Sequence, residues 1–116
     1  MITIDVSASD GCLRINCAGC YGPRSEGNLA SSRLVQEAIR RHLDTAAPPL
    51  FEVVIDFTRI DCEGMGDGPI WSVMEAWRRG VKVTYLVSES TCEYLEVLLS
   101  VTNMNQIIGV VVVGDA

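Results

Sequence analysis

The chain has 116 residues, of which 48% are hydrophobic and 21% are charged, and its formal net charge is −6. This length and composition predict one globular domain with its own core and exclude an intrinsically disordered chain. The acidic balance argues against nucleic-acid binding and against adsorption to an anionic membrane surface, because both partners repel negative charge.

The sequence shows no targeting or membrane-spanning segment. No apolar run approaches the roughly 20 residues that cross a bilayer, and the longest run, Ile107 to Val113, has the length of a strand. The first residues lack the basic and apolar regions of a secretory signal. We therefore expect a cytoplasmic protein without membrane insertion, whose five cysteines are free thiols.

Cys17 and Cys20 have the C-x-x-C spacing of redox and metal sites. A zinc site needs two further Cys or His ligands, but the other cysteines stand apart and His42 is the single histidine. A redox pair needs a helix that opens at its first cysteine, and a loop follows here instead. We expect no metal site, with Cys17 facing a core and Cys20 in a loop.

Two strands and a helix are predicted in the first part of the chain. Apolar and polar residues alternate from Met1 to Val6 and from Cys12 to Ala18, which predicts strands with one buried face. Asp10-Gly11 is a hairpin signal, so these strands should pair antiparallel. After a loop over Gly19 to Asn28, apolar residues recur at helical spacing from Leu29 to Asp44.

A strand and a second helix are predicted in the middle of the chain. Phe51 to Phe57 is a near-continuous apolar run, typical of a strand covered on both faces. Asp56 near its end should accept hydrogen bonds from loop amides beyond the strand. Ile70 to Arg79 has apolar residues at i, i+3, i+4 and i+7. Trp77 belongs to that buried stripe, whereas Trp71 lies off it and is expected to be exposed.

The last part of the chain completes an α/β pattern. Gly80 should end the second helix, and Val81 to Val87 is the fourth predicted strand. Ser90 and Glu93 form a capping box for a third helix, and Ile107 to Val113 is the fifth strand. The order β-β-α-β-α-β-α-β predicts a single domain over residues 1–116 with a mixed, mostly parallel five-stranded sheet.

The turn between the third strand and the second helix combines glycines, carboxylates and a thiol. It reads Ile60-Asp61-Cys62-Glu63-Gly64-Met65-Gly66. In open α/β sheets, ligands gather at the carboxyl ends of strands. Pro69 cannot lie deep inside a helix. The helix should therefore begin near Asp67 or Gly68, with an extended loop before it.

This turn resembles the motif of the STAS domain, the fold of bacterial anti-sigma-factor antagonists. The family pattern is a buried strand ending Asp-Leu-Ser, then Ile-Asp-Ser-Ser-Gly-Leu-Gly, a helix and a glycine. Here Asp56-Phe57-Thr58 precedes the turn and Gly80 follows the helix. The resemblance extends over nearly the whole chain. It implies a STAS-like, non-catalytic regulatory module that binds a protein partner, either a kinase-type anti-sigma factor or another regulator.

In that family a partner kinase phosphorylates the first serine of the motif, and the added charge breaks the interface. Cys62 and Glu63 occupy the two serine positions here, so we expect no phosphorylation switch at the usual serine. The predicted partner-binding and regulatory residues are Asp56, Asp61, Cys62, Glu63, Gly64, Met65, Gly66, Asp67 and Trp71. We expect no catalytic residues and no cofactor, and the sequence leaves a homodimer open.

Two alternative functions remain open. Cys62 could be a redox-sensing thiol, because a cysteine near a helix N-terminus can have a lowered pKa. Asp61 and Glu63 beside it favour the protonated thiol. The glycine-rich turn could instead present backbone amides to a nucleotide phosphate, although its carboxylates, including Asp67, would repel phosphate unless Mg²⁺ lay between them.

Overall fold

The fold is a mixed five-stranded sheet with four helices in the described part of the chain. The computed structural model describes residues 2–20, 25–45, 49–61, 68–102 and 108–113. The elements are β1 (Ile2–Ser9), β2 (Cys12–Cys20), α1 (Ser25–Thr45), β3 (Glu52–Asp61), α2 (Gly68–Trp71), α3 (Met74–Arg78), β4 (Lys82–Val87), α4 (Glu89–Thr102) and β5 (Ile108–Val112). The predicted α/β class is confirmed. Among these residues, no helix is long and apolar enough to cross a bilayer.

Asp10 and Gly11 join β1 to β2 as a two-residue hairpin turn. Their φ angles are 53° and 78°, and two positive angles define the turn type whose twist matches that of the flanking strands. The strands pair antiparallel from Ile2 opposite Gly19 to Ser9 opposite Cys12. The predicted hairpin is confirmed.

The strands lie side by side in the order in which the chain makes them, from β1 to β5. From β2 onward they are parallel, and right-handed crossovers that advance in one direction place the connecting helices on one face. On this helical face Ile15, Ile55 and Tyr85 are neighbours and fully buried. On the opposite face, which we call the open face, Asn16 and Asp56 are half-buried.

The prediction that the third strand is covered on both faces is wrong. Val53, Ile55 and Phe57 are at most 1% exposed, whereas Val54 and Asp56 between them are half-buried. The buried residues of the described helices pack into the single core on the helical face. The sequence predicted burial on both faces of this strand because Val54, on the open face, is as apolar as the buried residues on either side of it.

Aromatic residues of two central strands organise the core. The ring centroids of Phe57 and Tyr85 are 4.9 Å apart, with the planes inclined at 56°. The Tyr85 hydroxyl donates a hydrogen bond to the carbonyl oxygen of Pro69, so the sheet holds the start of α2. The other helices complete the core with Val35, Ile39, Leu95 and Leu99.

The second predicted helix begins as expected but is interrupted. It starts at Gly68, and α2 ends at Trp71 before a turn and the start of α3. Ser72, Val73 and Ala76 are buried, whereas Trp77, predicted in the core, is 40% exposed. Both short helices of this segment contact α1, and close packing at such a contact favours small buried side chains over an indole.

β2 and β3 extend further than the sequence predicted. After a register shift that follows Asn16, pairing resumes with Ala18 opposite Arg59 and ends with Cys20 opposite Asp61. The shift inserts an extra residue into β3, which is a β-bulge. Cys20 therefore ends β2, and the prediction that it lies in a loop is wrong.

The helix ends differ from the prediction by a turn or less. α1 begins at Ser25, ahead of the predicted Leu29. The prediction missed this first turn because it lacks the apolar residues that would show a helical period. α4 begins at Glu89, ahead of the predicted cap at Ser90. Gly80 has a φ of 76°, and its amide donates to the Trp77 carbonyl at 3.0 Å. It ends its helix as predicted.

Gly11→Ala is expected to destabilise the domain more than Gly80→Ala. Both glycines have positive φ angles, 78° and 76°, so either alanine carries about 1 kcal/mol of backbone strain. A Cβ at Gly11 would lie 2.6 Å from two ring carbons of Phe51, whereas one at Gly80 would meet nothing within 4 Å. We expect urea denaturation to show losses of about 2 and about 1 kcal/mol respectively, because the exposed ring of Phe51 can move aside at a cost no greater than that of removing it.

The double variant Gly11→Ala, Phe51→Ala isolates the clash. Once the ring is absent, adding Gly11→Ala should cost no more than Gly80→Ala does. A larger cost that persists without the ring would show that Phe51 is not its cause.

Candidate functional site

Most of the predicted loop lies outside the described residues. This applies to Cys62, Glu63, Gly64, Met65, Gly66 and Asp67, whose roles stay predictions. Asp61 is the last residue of β3, and its backbone lies opposite Cys20. Ile60, which the sequence placed in the turn, is a buried strand residue.

Asp56 lies on the open face at the centre of a hydrogen-bond network. Its Oδ1 accepts hydrogen bonds from the amide and hydroxyl of Thr58, at 2.9 and 2.6 Å. Its Oδ2 lies 3.0 Å from Nη2 of Arg14, and Nε of Arg14 donates to Oδ1 of Asn16 at 3.0 Å. Asp56 thus accepts a backbone hydrogen bond as predicted, but the amide belongs to β3 and not to a loop beyond it.

The pKa of the Asp56 carboxyl lies below its ordinary value. Partial burial by itself would raise this pKa, because burial disfavours the charged form. The hydrogen bonds from Thr58 and the charge and hydrogen bond of Arg14 outweigh burial and lower the pKa. The carboxylate is therefore charged at neutral pH and links β2 to β3 through Arg14.

A shallow depression of about 490 Å³ surrounds this network on the open face. Its charged lining residues are Asp5, Arg14, Asp56 and Arg59. Two acidic and two basic side chains balance, so the depression favours neither an anion nor a cation. Neither Arg14 nor Arg59 was predicted as a site residue, although the alternation of polar and apolar residues in β2 could have pointed to Arg14.

The chain's two tryptophans are both on the surface. Trp71 is 42% exposed and Trp77 is 40% exposed. Ile70 and Met74 in the same segment are half-buried. We call these four residues the tryptophan surface. The exposure of Trp71 was predicted, whereas that of Trp77 was not.

Asp56 and Trp71 do not form one site. The Asp56 side chain lies on the open face of the sheet. Trp71 belongs to α2, whose Pro69 carbonyl is bonded by Tyr85 from the helical face. The sheet therefore separates the two predicted site residues whose side chains the structure describes.

The C-x-x-C pair does not form a reactive site. Side chains alternate along a strand, so Cys17 and Cys20, three residues apart on β2, point to opposite faces. A rise of about 3.3 Å per residue separates their Cα atoms by roughly 10 Å, which is too far for a disulfide. Cys17 faces the core as predicted, and burial, with the charge of Asp56, raises its pKa to about 12.

His42 has a structural contact at the end of α1. Its Nδ1 lies 2.8 Å from the carbonyl oxygen of Ala38. Because a carbonyl only accepts hydrogen bonds, the proton lies on Nδ1. Within the described ranges, no three His, Cys, Asp or Glu side chains are grouped so that they could hold a metal ion.

Comparison with known proteins identifies no family. A scan against protein-family models gave no match, and a search of curated proteins found no relative. The resemblance to the STAS domain therefore stays a prediction.

Proposed function

We propose that this domain is a non-catalytic module that binds a regulatory protein through the tryptophan surface. The observation that carries the proposal is the exposure of Trp71 and Trp77 on two adjacent short helices. Tryptophan is enriched among the residues that dominate binding energy, because it buries a large apolar area and keeps one N–H for a polar partner. A partner that covers both rings removes apolar area from water, which favours binding.

Contacts with the rest of the domain hold the tryptophan surface in place. Arg79 Nη2 lies 3.0 Å from Glu75 Oε1, and its Nη1 lies 2.8 Å from Asp44 Oδ1 at the end of α1. Exposed pairs of this kind stabilise the fold only weakly, but the pair with Asp44 connects the end of α3 to α1. Tyr85 holds α2 through the hydrogen bond from its hydroxyl to the Pro69 carbonyl oxygen. A surface that is already ordered loses little conformational entropy on binding.

The proposed partner is a regulator of the kind that STAS-like domains bind, such as a kinase-type anti-sigma factor. The chain that leads into α2 carries Asp61, Glu63 and Asp67. The complementary surface of the partner would therefore be apolar at its centre and basic where it meets these residues. With Cys62 and Glu63 at the serine positions, binding is not proposed to be switched by phosphorylation there.

Trp77→Ala is expected to weaken partner binding at least tenfold, which corresponds to about 1.4 kcal/mol or more. The partner is captured from a native extract on the immobilised domain, identified and purified. Its Kd is then measured by calorimetry with the wild type, Trp71→Ala and Trp77→Ala. Since the chain has no other tryptophan, a blue shift of indole emission on binding reports burial of this surface independently.

Val97→Ala is the matched control. Val97 is 64% exposed on α4, outside the tryptophan surface, and its variant should bind within twofold of the wild type. The proposal fails if the two tryptophan variants bind as tightly as the control, or if binding leaves the emission unchanged.

A further inference from the structure

A groove of about 590 Å³ lies between β1 and α1 at the edge of the sheet. Its floor is apolar and consists of Ile4 and Val6 from β1 with Leu34 and Ala38 from α1. No residue of β2 lines it. The groove therefore follows the outer side of β1, where α1 projects past the strand.

β1 is an edge strand whose one neighbour among the described strands is β2. The amide of Ile2 donates to Oγ of Ser31 in α1 at 3.4 Å, so it points away from β2. Backbone groups of successive residues in an antiparallel pair alternate in direction. The amide and carbonyl groups of Ile4 and Val6 therefore also point outward, where an added strand can bond to them.

Two arginines of α1 stand at the rim of the groove. Arg33 and Arg41 line it with Glu37 between them, and within the described ranges neither arginine forms an ion pair. At a rise of 1.5 Å per residue, the two arginines are about 12 Å apart along the helix. On a chain with a net charge of −6, this rim is locally basic.

We propose that the groove binds an extended acidic segment of another protein by strand addition to β1. The backbone of that segment bonds to the outward groups of Ile4 and Val6, and alternate side chains face α1. Side chains four residues apart on a strand are about 13 Å apart, which matches the spacing of Arg33 and Arg41. The expected sequence pattern is acidic, any, apolar, any, acidic, because Glu37 disfavours a third carboxylate at the centre.

A second copy of this chain fits the groove less well. Symmetric pairing of two β1 strands centred on the groove places Arg33 of one copy towards Arg41 of the other, and the two Glu37 side chains towards each other. Like charges at an interface disfavour association. The inference does not depend on the proposed function, because the tryptophan surface belongs to α2 and α3.

The probe is the synthetic peptide acetyl-Thr-Glu-Thr-Val-Thr-Glu-Thr-amide, titrated against the whole chain by calorimetry at low salt to about 1 mM. We expect binding, and none when lysine replaces both glutamates. The double variant Arg33→Glu, Arg41→Glu should weaken binding at least tenfold. Arg40→Glu is the matched control, since Arg40 is exposed on α1 but does not line the groove, and it should bind within twofold of the wild type.

Methylation of alternate peptide amides tests strand addition, because only one set of amides faces β1. One pattern should abolish binding and the other should retain it. Trp77→Ala should leave the peptide affinity unchanged, so this proposal and the proposed function can fail separately. The inference is overturned by absent binding, by equal binding of the lysine peptide, by equal loss with Arg40→Glu, or by equal effects of the two methylation patterns. Sedimentation tests the alternative of a homodimer. If the wild type is a dimer and the double variant Arg33→Glu, Arg41→Glu is a monomer, the inference is also overturned.

Discussion

Phe57→Ala is expected to lower the free energy of unfolding by about 3–5 kcal/mol. The Phe57 side chain is 1% exposed, and its ring lies 4.9 Å from that of Tyr85 at the centre of the helical face. Removing it leaves a cavity that the surrounding strands cannot close. Because domains of this size have total stabilities of about 5–15 kcal/mol, urea denaturation should show a large fall in the midpoint with little change in slope.

Phe51→Ala is the matched control, since Phe51 is the chain's other phenylalanine and is 62% exposed. Its ring covers Gly11, so we expect a loss of about 1 kcal/mol or less. Comparable losses for the two phenylalanines would contradict the core as described.

Asp56→Asn is expected to lower the free energy of unfolding by about 1–3 kcal/mol at neutral pH. The asparagine can still accept hydrogen bonds from Thr58, but it loses the charge that pairs with Arg14. The Asp56 side chain is 20% exposed, so water screens this pair only in part. Thermal and urea unfolding of the two proteins in the same buffer measure the difference.

The stability difference between the wild type and Asp56→Asn should also depend on pH. Because the fold lowers the pKa of Asp56, its carboxylate contributes stability that is complete above the ordinary pKa of an aspartate. That contribution is lost as the pH falls through the lowered value. The difference should therefore be constant near neutrality and shrink below about pH 4. Asp5→Asn on the same face serves as control, and a difference that grew on acidification would refute the assignment.

The sequence predicted the elements whose local signals agree with their packing. Asp10-Gly11 specifies a hairpin turn by its backbone preference, and the alternation in β1 and β2 specifies which residues face the core. The alternation of strands with helices then determines a mostly parallel sheet, because right-handed crossovers allow few other arrangements. These features need only neighbouring residues, which is why they could be read from the chain.

The burial of Trp77 was predicted wrongly because helical spacing does not specify which face of a helix is buried. Its spacing with Ile70 and Met74 is that of a core stripe, but the fold buries Ser72 and Ala76 instead. Only the position of α1 decides between the two sides. The prediction that Val54 is covered was wrong for a similar reason, because an apolar side chain does not show whether a helix packs against it.

The candidate site was predicted only where single residues carried the signal. Asp56 was identified from its place near the end of an apolar strand, and Trp71 from its place off the helical stripe. Arg14 was missed because its ion pair with Asp56 joins residues 42 positions apart, a contact that exists only once β2 and β3 are paired. The basic rim of Arg33 and Arg41 likewise depends on the position of α1 over the edge of β1.

The agreement between strand order and chain order has a consequence for synthesis on the ribosome. Each strand pairs with the one made just before it, and no later strand has to insert between two that are already paired. The sheet can therefore grow from β1 as the chain emerges, and each step pairs two strands that follow one another in the chain. Each new strand has an unpaired edge only until the next strand is translated, whereas no described strand pairs with the outer edge of β1.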